Sequence, residues 1–415
     1  MSVRILLGDI RERLKDLPDE SVHMVCTSPP YYNLRDYQTA SWAGGDPDCD
    51  HLKGALVSSR STLRSDGRDH TGPYDGEKAV VTGMPFSQSC GKCGAVRTDK
   101  QIGLEPTPAE FVAVLVEVFR EVRRVMRPDA TLFLNLGDSY QDKQLLGIPW
   151  RVAFALQADG WYLRSEIIWA KANAMPESVR DRPTKAHEQI FLLSKSPKYH
   201  YDAEAIAEPA SINSHGAING DPGAKARHTG NHSGPLGLLP EDGTRNRRSV
   251  WTVATAPFSG AHFAVFPPAL IEPCILAGCP KDCCAKCGAP VVREVERGES
   301  AYKRHGKLNG ADFGLNDSQP GNKGNTRTAK GTSLDLTPPP SVTLGWSPSC
   351  TCDAGVMRGT VLDPFGGAGT TGLVADRLQR NAILIELNGD YLKLAADRIT
   401  DDAPLFASVN SDASR

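Results

Sequence analysis

The chain has 415 residues, enough for one enlarged domain or for two. Its 47 Lys and Arg against 49 Asp and Glu give a formal charge of -2, which excludes a wholly basic nucleic-acid coat and leaves room only for a local basic face. No stretch approaches the roughly 18 consecutive apolar residues of a membrane span, and the opening MSVRILLGDIRERL lacks a signal-peptide run, so a cytoplasmic protein with no membrane partner is expected.

Residues 1–37 read as strand (VRILLGD), helix (IRERLKDLP) and strand (VHMVCTSPPYY), an α/β opening. The second strand is left through Thr27, Ser28, Pro29, Pro30 and Tyr31, at the kind of strand end where open α/β sheets hold ligands. Alone, such a Pro-Pro pair is only a stiff exit with Tyr31 as a core aromatic. Residues 38–103 lose the rhythm and are polar, Gly-rich and Cys-bearing, which marks an insertion.

The pattern returns over 104–204. TPAEFVAVLVEVFREVRRVMRP predicts a helix stopped by Pro128, TLFLNLGD a strand, PWRVAFALQADGW and YLRSEIIWAKA a helix and a strand, and EQIFLLSKSPKYHYD another strand. Residues 205–255 are largely polar and include TRNRRS, and 256–278 contain FPPALIEPCILAG, a helix opened by proline. In that helix Pro273-Cys274 reads as a buried structural thiol rather than a nucleophile. Residues 279–355 carry cysteines around a linker-like stretch, 356–400 form strand, glycine loop, helix and strand, and 401–415 read as a tail.

In the last unit, VLDPFGGAGTTG places Gly366, Gly367 and Gly369 between a strand and a helix, where backbone can approach a ligand closely. Twenty residues after Gly366, Glu386 ends the strand AILIE, where a carboxylate can accept from ribose hydroxyls. The loop lacks the GxGxxG spacing of nicotinamide enzymes and the Gly-Lys-Ser/Thr ending of a triphosphate site, so an adenosine-like cofactor of another kind is expected.

Eleven cysteines in a large chain without a signal point to metal rather than disulfides. Cys49, His51, Cys90 and Cys93 have the makings of one tetrahedral zinc site, and Cys284, Cys287, Cys350 and Cys352 of a second, zinc-ribbon-like one; closed four-ligand sites are structural.

Ser28-Pro29-Pro30-Tyr31 and DPFGGAGTT together resemble the exocyclic-amine DNA methyltransferases, which act on cytosine N4 or adenine N6. With the catalytic signature first and the cofactor loop last, the order is similar to the family's β arrangement, and the resemblance covers roughly two thirds of the chain. It implies a circularly reordered Rossmann-like sheet, interrupted here by the zinc-ribbon-like insertions read from the cysteines, with S-adenosylmethionine as cofactor and double-stranded DNA as partner. Asp9, Asp363, Pro364, Phe365, Gly366, Gly367, Gly369, Thr370, Thr371 and Glu386 would bind the cofactor. Ser28, Pro29, Pro30 and Tyr31 would be catalytic, because two acceptors aimed at a poorly nucleophilic amine free its lone pair while Tyr31 stacks the flipped base.

Serine at the first signature position accompanies cytosine-N4 enzymes in this family, with adenine N6 as the alternative and a catalytically inactive zinc-ribbon DNA-binding module as the reading from another class. Arg180, Arg182, Lys185, Arg245, Arg247 and Arg248 are the expected DNA contacts, and residues 205–255 the expected target-recognition region. No nuclease signature is present, so a restriction endonuclease partner stays open.

Overall fold

The computed structural model describes residues 2–33, 39, 41–49, 90, 92–209, 244–256, 265–297, 341–404 and 408–412. His51 lies outside the described residues. The chain divides into two compact units, Met1–Tyr201 with Ser249–Cys279 and Arg358–Arg415, and Asp202–Arg248 with Pro280–Met357.

Nine strands of the first unit make one sheet: β1 (Val3–Leu7), β2 (Val22–Thr27), β3 (Met126–Leu136), β4 (Tyr162–Ala170), β5 (His187–Ser194), β6 (Val250–Thr252), β7 (Thr360–Asp363), β8 (Asn381–Glu386) and β9 (Val409–Asp412). Their order is β6-β4-β5-β3-β2-β7-β8-β1-β9. Every pairing is parallel except those of β5, which runs against β3 and β4. All six residues of β2 are buried, as a central parallel strand covered on both faces requires.

Helices α1 (Ile10–Arg13), α2 (Pro108–Val125) and α3 (Ile148–Ala158) cover one face, where Ile10, Phe119 and Val152 pack with Leu132 and Leu134. On the other face α4 (Pro268–Gly278), α5 (Thr370–Arg377) and α6 (Gly389–Asp402) bring Ile275, Val374 and Ile399 against Phe133 and Leu384. The period-two alternation of Leu132, Phe133 and Leu134 is what feeds both layers. Each such fully buried side chain contributes about 1.5–3 kcal/mol.

Two sequence expectations shift. The α2 helix ends at Val125, so Pro128 lies inside β3 rather than stopping the helix. The β2/β3 ladder steps from Val22↔Met126 to Met24↔Thr131, and a proline that lacks a donor is tolerated at such an irregularity. The segment read as a tail forms β9 at the sheet edge, beside β1.

β1 is inserted next to β8, pairing Val3↔Ala382 through Leu7↔Glu386, so the sheet is circularly reordered. From β2 the chain proceeds to β3 on one side, and from β7 to β8 on the other. The carboxyl ends of β2 and β7 therefore flank the point where the winding reverses, the position at which such sheets bind ligands.

In the second unit, Val291–Arg297 pairs antiparallel with Ser341–Pro348, and Glu208–Pro209 pairs with Thr244–Arg245.

Candidate functional site

At that reversal point opens a cavity of about 930 Å³, lined by Ser28–Tyr31, Asp9, 363–368, Thr370 and Glu386. The two strand ends are tied together beneath it. Thr27 Oγ1 donates to Asp363 Oδ1 at 2.6 Å, Thr371 Oγ1 to Oδ2 at 2.7 Å, and the Phe365 amide to Oδ1 at 3.1 Å. Asp363 is thus placed under the cavity floor with both oxygens engaged, and Thr371 is buried beside it.

Burial pushes the Asp363 carboxyl up to about 6 from 3.8, against the lowering effect of those three donors. A folded carboxyl with a raised pKa binds more protons than the unfolded chain in this window. Its contribution is complete below 3.8 and is lost as pH rises through about 6. Asp363→Asn is expected to remove that slope from the thermal-stability profile; calorimetry across the window checks it, and an unchanged slope in the variant would place its origin elsewhere.

Around Ser28 the structure assembles a polar network that sequence reasoning did not single out. Tyr31 O–H donates to Glu188 Oε2 at 2.6 Å, and Asn135 Nδ2 lies 2.8 Å from the Tyr31 hydroxyl, 2.9 Å from Glu188 Oε2 and 3.3 Å from Ser28 Oγ. Ser28 Oγ is itself 3.3 Å from the Tyr31 hydroxyl. Lys171 Nζ donates to Glu188 Oε1 at 2.5 Å and sits 4.7 Å from the centre of the Trp169 ring. Gly137 backs the tyrosine: a Cβ there would lie 2.4 Å from Tyr31 Cε2. The one legible signal was Asn135, a polar residue within the otherwise buried apolar run of β3.

The glycine loop closes onto the β8 end. Gly366 N–H donates to Ile385 O at 2.8 Å and Gly367 N–H to Glu386 Oε2 at 2.7 Å, while Glu386 Oε1 accepts from Asn388 N–H at 2.8 Å. Burial raises the Glu386 carboxyl, with the Asn388 and Gly367 amides pulling it back. Gly369 caps α5 at φ 75°, and a Cβ there would lie 2.7 Å from Ala395 Cβ, so both conformation and space demand glycine. Each Glu386 oxygen has taken one donor and keeps a lone pair, and Pro364, Phe365 and Thr370 complete the wall. This donor set fits an adenosine-bearing cofactor.

Asp9 caps α1 through Arg11 N–H at 2.9 Å and holds the Arg11 guanidinium by both oxygens, at 2.9 and 2.7 Å. Burial works against its ionisation, and the Arg11 hydrogen bonds and charge outweigh it, holding the carboxyl below its usual range.

The cysteines gather as two clusters, Cys284, Cys287, Cys350 and Cys352 in one, and Cys49, Cys90 and Cys93 in the other, with ligand atoms within 4.8 Å of one another. The two CxxCGA turns repeat one hydrogen-bond pattern. Gly94 N–H donates to Cys90 O at 2.9 Å and Cys90 N–H to Ala95 O at 2.7 Å; Gly288 to Cys284 and Cys284 to Ala289 follow suit, both at 2.8 Å. Gly94 and Gly288 share a left-handed φ, 71° and 68°. Backbone amides of Cys287 and Lys286 draw the Cys284 thiol down to about 6, toward the thiolate that a metal requires. Metal–sulfur bonds of about 2.3 Å in a tetrahedron set sulfurs about 3.8 Å apart, and Cys49 Sγ and Cys90 Sγ stand at 3.8 Å.

Of the basic residues, Lys185 lines the cavity, 3.8 Å from Asp138, and burial lowers its pKa. Arg182 pairs with Glu177 at 2.6 Å and lies 4.0 Å over the Tyr140 ring, while Arg180 is exposed. Arg245, Arg247 and Arg248 belong to the second unit, where Glu208 accepts from Arg245 at 2.8 Å and from Arg248 at 2.6 Å.

Comparison with known proteins follows the same lines. The family model described as DNA methylase, covering N6 and N4 enzymes, matches residues 22–284 and 350–397. Of the four-cysteine cluster, Cys284, Cys350 and Cys352 fall within the matched residues and Cys287 within the stretch between them. The type II methyltransferase M.SmaI of Serratia marcescens is 32% identical over 427 residues, 96% of this chain and 91% of that protein. M.XycI of Xanthomonas campestris pv. cyanopsidis, also a type II methyltransferase, is 32% identical over 421 residues, 94% and 86% respectively. Among solved structures, the PvuII cytosine-N4-specific DNA methyltransferase aligns with a TM-score of 0.47 at 15% identity, covering 99% of this chain and 95% of that one. By its family match and its near-full-length relatives, the chain belongs to the N6/N4 DNA methylases.

Proposed function

We propose that the chain transfers a methyl group from S-adenosylmethionine to the exocyclic amine of a base turned out of duplex DNA, with cytosine N4 as the favoured target. The supporting observation is that two segments more than 300 residues apart, Ser28–Tyr31 and 363–368 with Thr370, line one cavity at the winding reversal. When bound, the cofactor supplies an electrophilic sulfonium methyl.

Glu386 accepts from its ribose hydroxyls, the glycine loop admits its backbone approach, and Asp9 contacts the adenine. The Ser28 hydroxyl and Pro29 carbonyl, held by prolines of fixed φ, accept the amine hydrogens and draw the lone pair out of ring conjugation. Tyr31, pinned by Glu188 and Asn135 and backed by Gly137, presents its ring to the base. Positioning carries most of the acceleration, and the amine proton leaves after transfer, once methylation has made it acidic.

Serine rather than aspartate at the first signature position favours cytosine. Arg180, Arg182, Lys185, Arg245, Arg247 and Arg248 contact DNA, with sequence recognition within 205–255 and a restriction endonuclease of the same specificity as partner. The two cysteine clusters hold structural zinc, His51 being the fourth ligand of the first. Methylome sequencing of DNA from cells expressing the chain tests the reading: N4-methylcytosine at one short sequence is expected. N6-methyladenine in its place would overturn the base, and no methylation would overturn the activity.

A further inference from the structure

Residues 171–186 join β4 to β5, and Lys171 N–H donating to Ala186 O at 2.8 Å closes this loop at its base. It is held on two sides. Asn173 Oδ1 accepts from the Thr255 amide at 2.7 Å and its Nδ2 donates to Thr255 O at 3.2 Å, while Arg182 lies over Tyr140 and Asp181 pairs with Lys143 at 3.1 Å. Between these anchors Ala174, Met175 and Pro176 border the same cavity as Ser28 and Tyr31. Met175 is 84% exposed, more than any other large apolar side chain among the described residues.

A single exposed apolar residue is common and means little alone. Here the side chain stands at the mouth of the cavity, on a segment fixed at both flanks, with Pro176 restricting Met175 to extended backbone. A base that leaves the stack opens an apolar gap between its neighbours, and an unbranched, polarisable thioether side chain fills such a gap against aromatic faces. Arg180 is exposed on the same loop.

We propose that Met175 is the wedge that enters the base stack as the target nucleotide swings into the cavity; this rests on the base-flipping reading above. The test compares wild type with Met175→Ala on two duplexes carrying the methylated site, one fully paired and one with an abasic position opposite the target base. A wedge matters only where pairing and stacking hold the target in. The variant is expected to lose at least about tenfold in kcat/KM on the paired duplex and to stay within about twofold of wild type on the abasic one. Equal losses on both duplexes, or none on either, would overturn the role of Met175. Failure of the wild type to methylate either duplex would overturn the flipping reading itself.

Discussion

Duplex DNA incubated with the Ser28→Ala/Tyr31→Ala protein and labelled S-adenosylmethionine is expected to take up no methyl group above background, while cofactor affinity stays within about twofold of wild type. Ser28→Ala removes one acceptor aimed at the amine, and losing one such oriented hydrogen-bonding group costs about 10²–10³ in rate. Tyr31→Ala removes the stacking face and one donor to the Glu188 carboxylate, which keeps Asn135 on Oε2 and Lys171 on Oε1. Tyr31→Phe separates the two effects. It preserves the ring and loses the hydroxyl's bonds to Glu188, Asn135 and Ser28, so a smaller loss of about ten- to a hundredfold is expected.

Cofactor binding should survive because the glycine loop is bonded to Glu386 and Ile385, and the tie between the two strand ends uses Thr27 and Asp363, which these changes leave alone. Undiminished transfer by the double variant would sink the pocket assignment, and lost cofactor affinity would show the two halves to be one site. Isothermal titration and filter-bound label give the two readouts.

The purified chain is expected to carry two zinc ions, and Cys287→Ser to reduce this to one. Metal is expected to matter to the second unit: among its described residues the buried hydrophobic members are Ile206, Cys283, Cys284 and Ala289. The antiparallel ribbon is expected to draw part of its ordering free energy from the metal. A structural zinc contributes about 10–16 kcal/mol of apparent binding free energy, which becomes folding free energy when the apo form is unstructured. Chelation should therefore open the second unit to protease while the far-ultraviolet signal of the nine-stranded sheet persists. A chain that contains no zinc by elemental analysis, and whose proteolysis a chelator leaves unchanged, would refute both sites.

Much of this fold could be read from residue order because its signals are local. Period-two runs such as TLFLNL, the 3.6-residue stripe of α2, and the strand-loop-helix of 360–377 each declare themselves within a dozen residues. The Tyr31 network was not legible for the opposite reason. Asn135, Lys171 and Glu188 meet only through the antiparallel register of β5 with β3 and β4, which sets Glu188 opposite Trp169 and Gln189 opposite Leu136. No spacing within one segment encodes that meeting. Pro128 misled because a proline after a helix reads as its terminator, whereas the helix had already ended and the proline occupied a ladder irregularity. β9 was missed because Val-Asn-Ser-Asp has neither alternation nor hydrophobicity to mark it.

The place of β2 in the sheet also bears on how the protein comes into being. Its bond to the neighbouring strand, Thr27 to Asp363, spans 336 residues. A ribosome making the chain releases this wholly buried strand long before its partner. Throughout that interval one edge of β2 has no native neighbour, the exposed edge by which chains most readily self-associate. Sequence separation of this size also slows closure of the sheet. The centre of the sheet therefore closes only once β7 has been made.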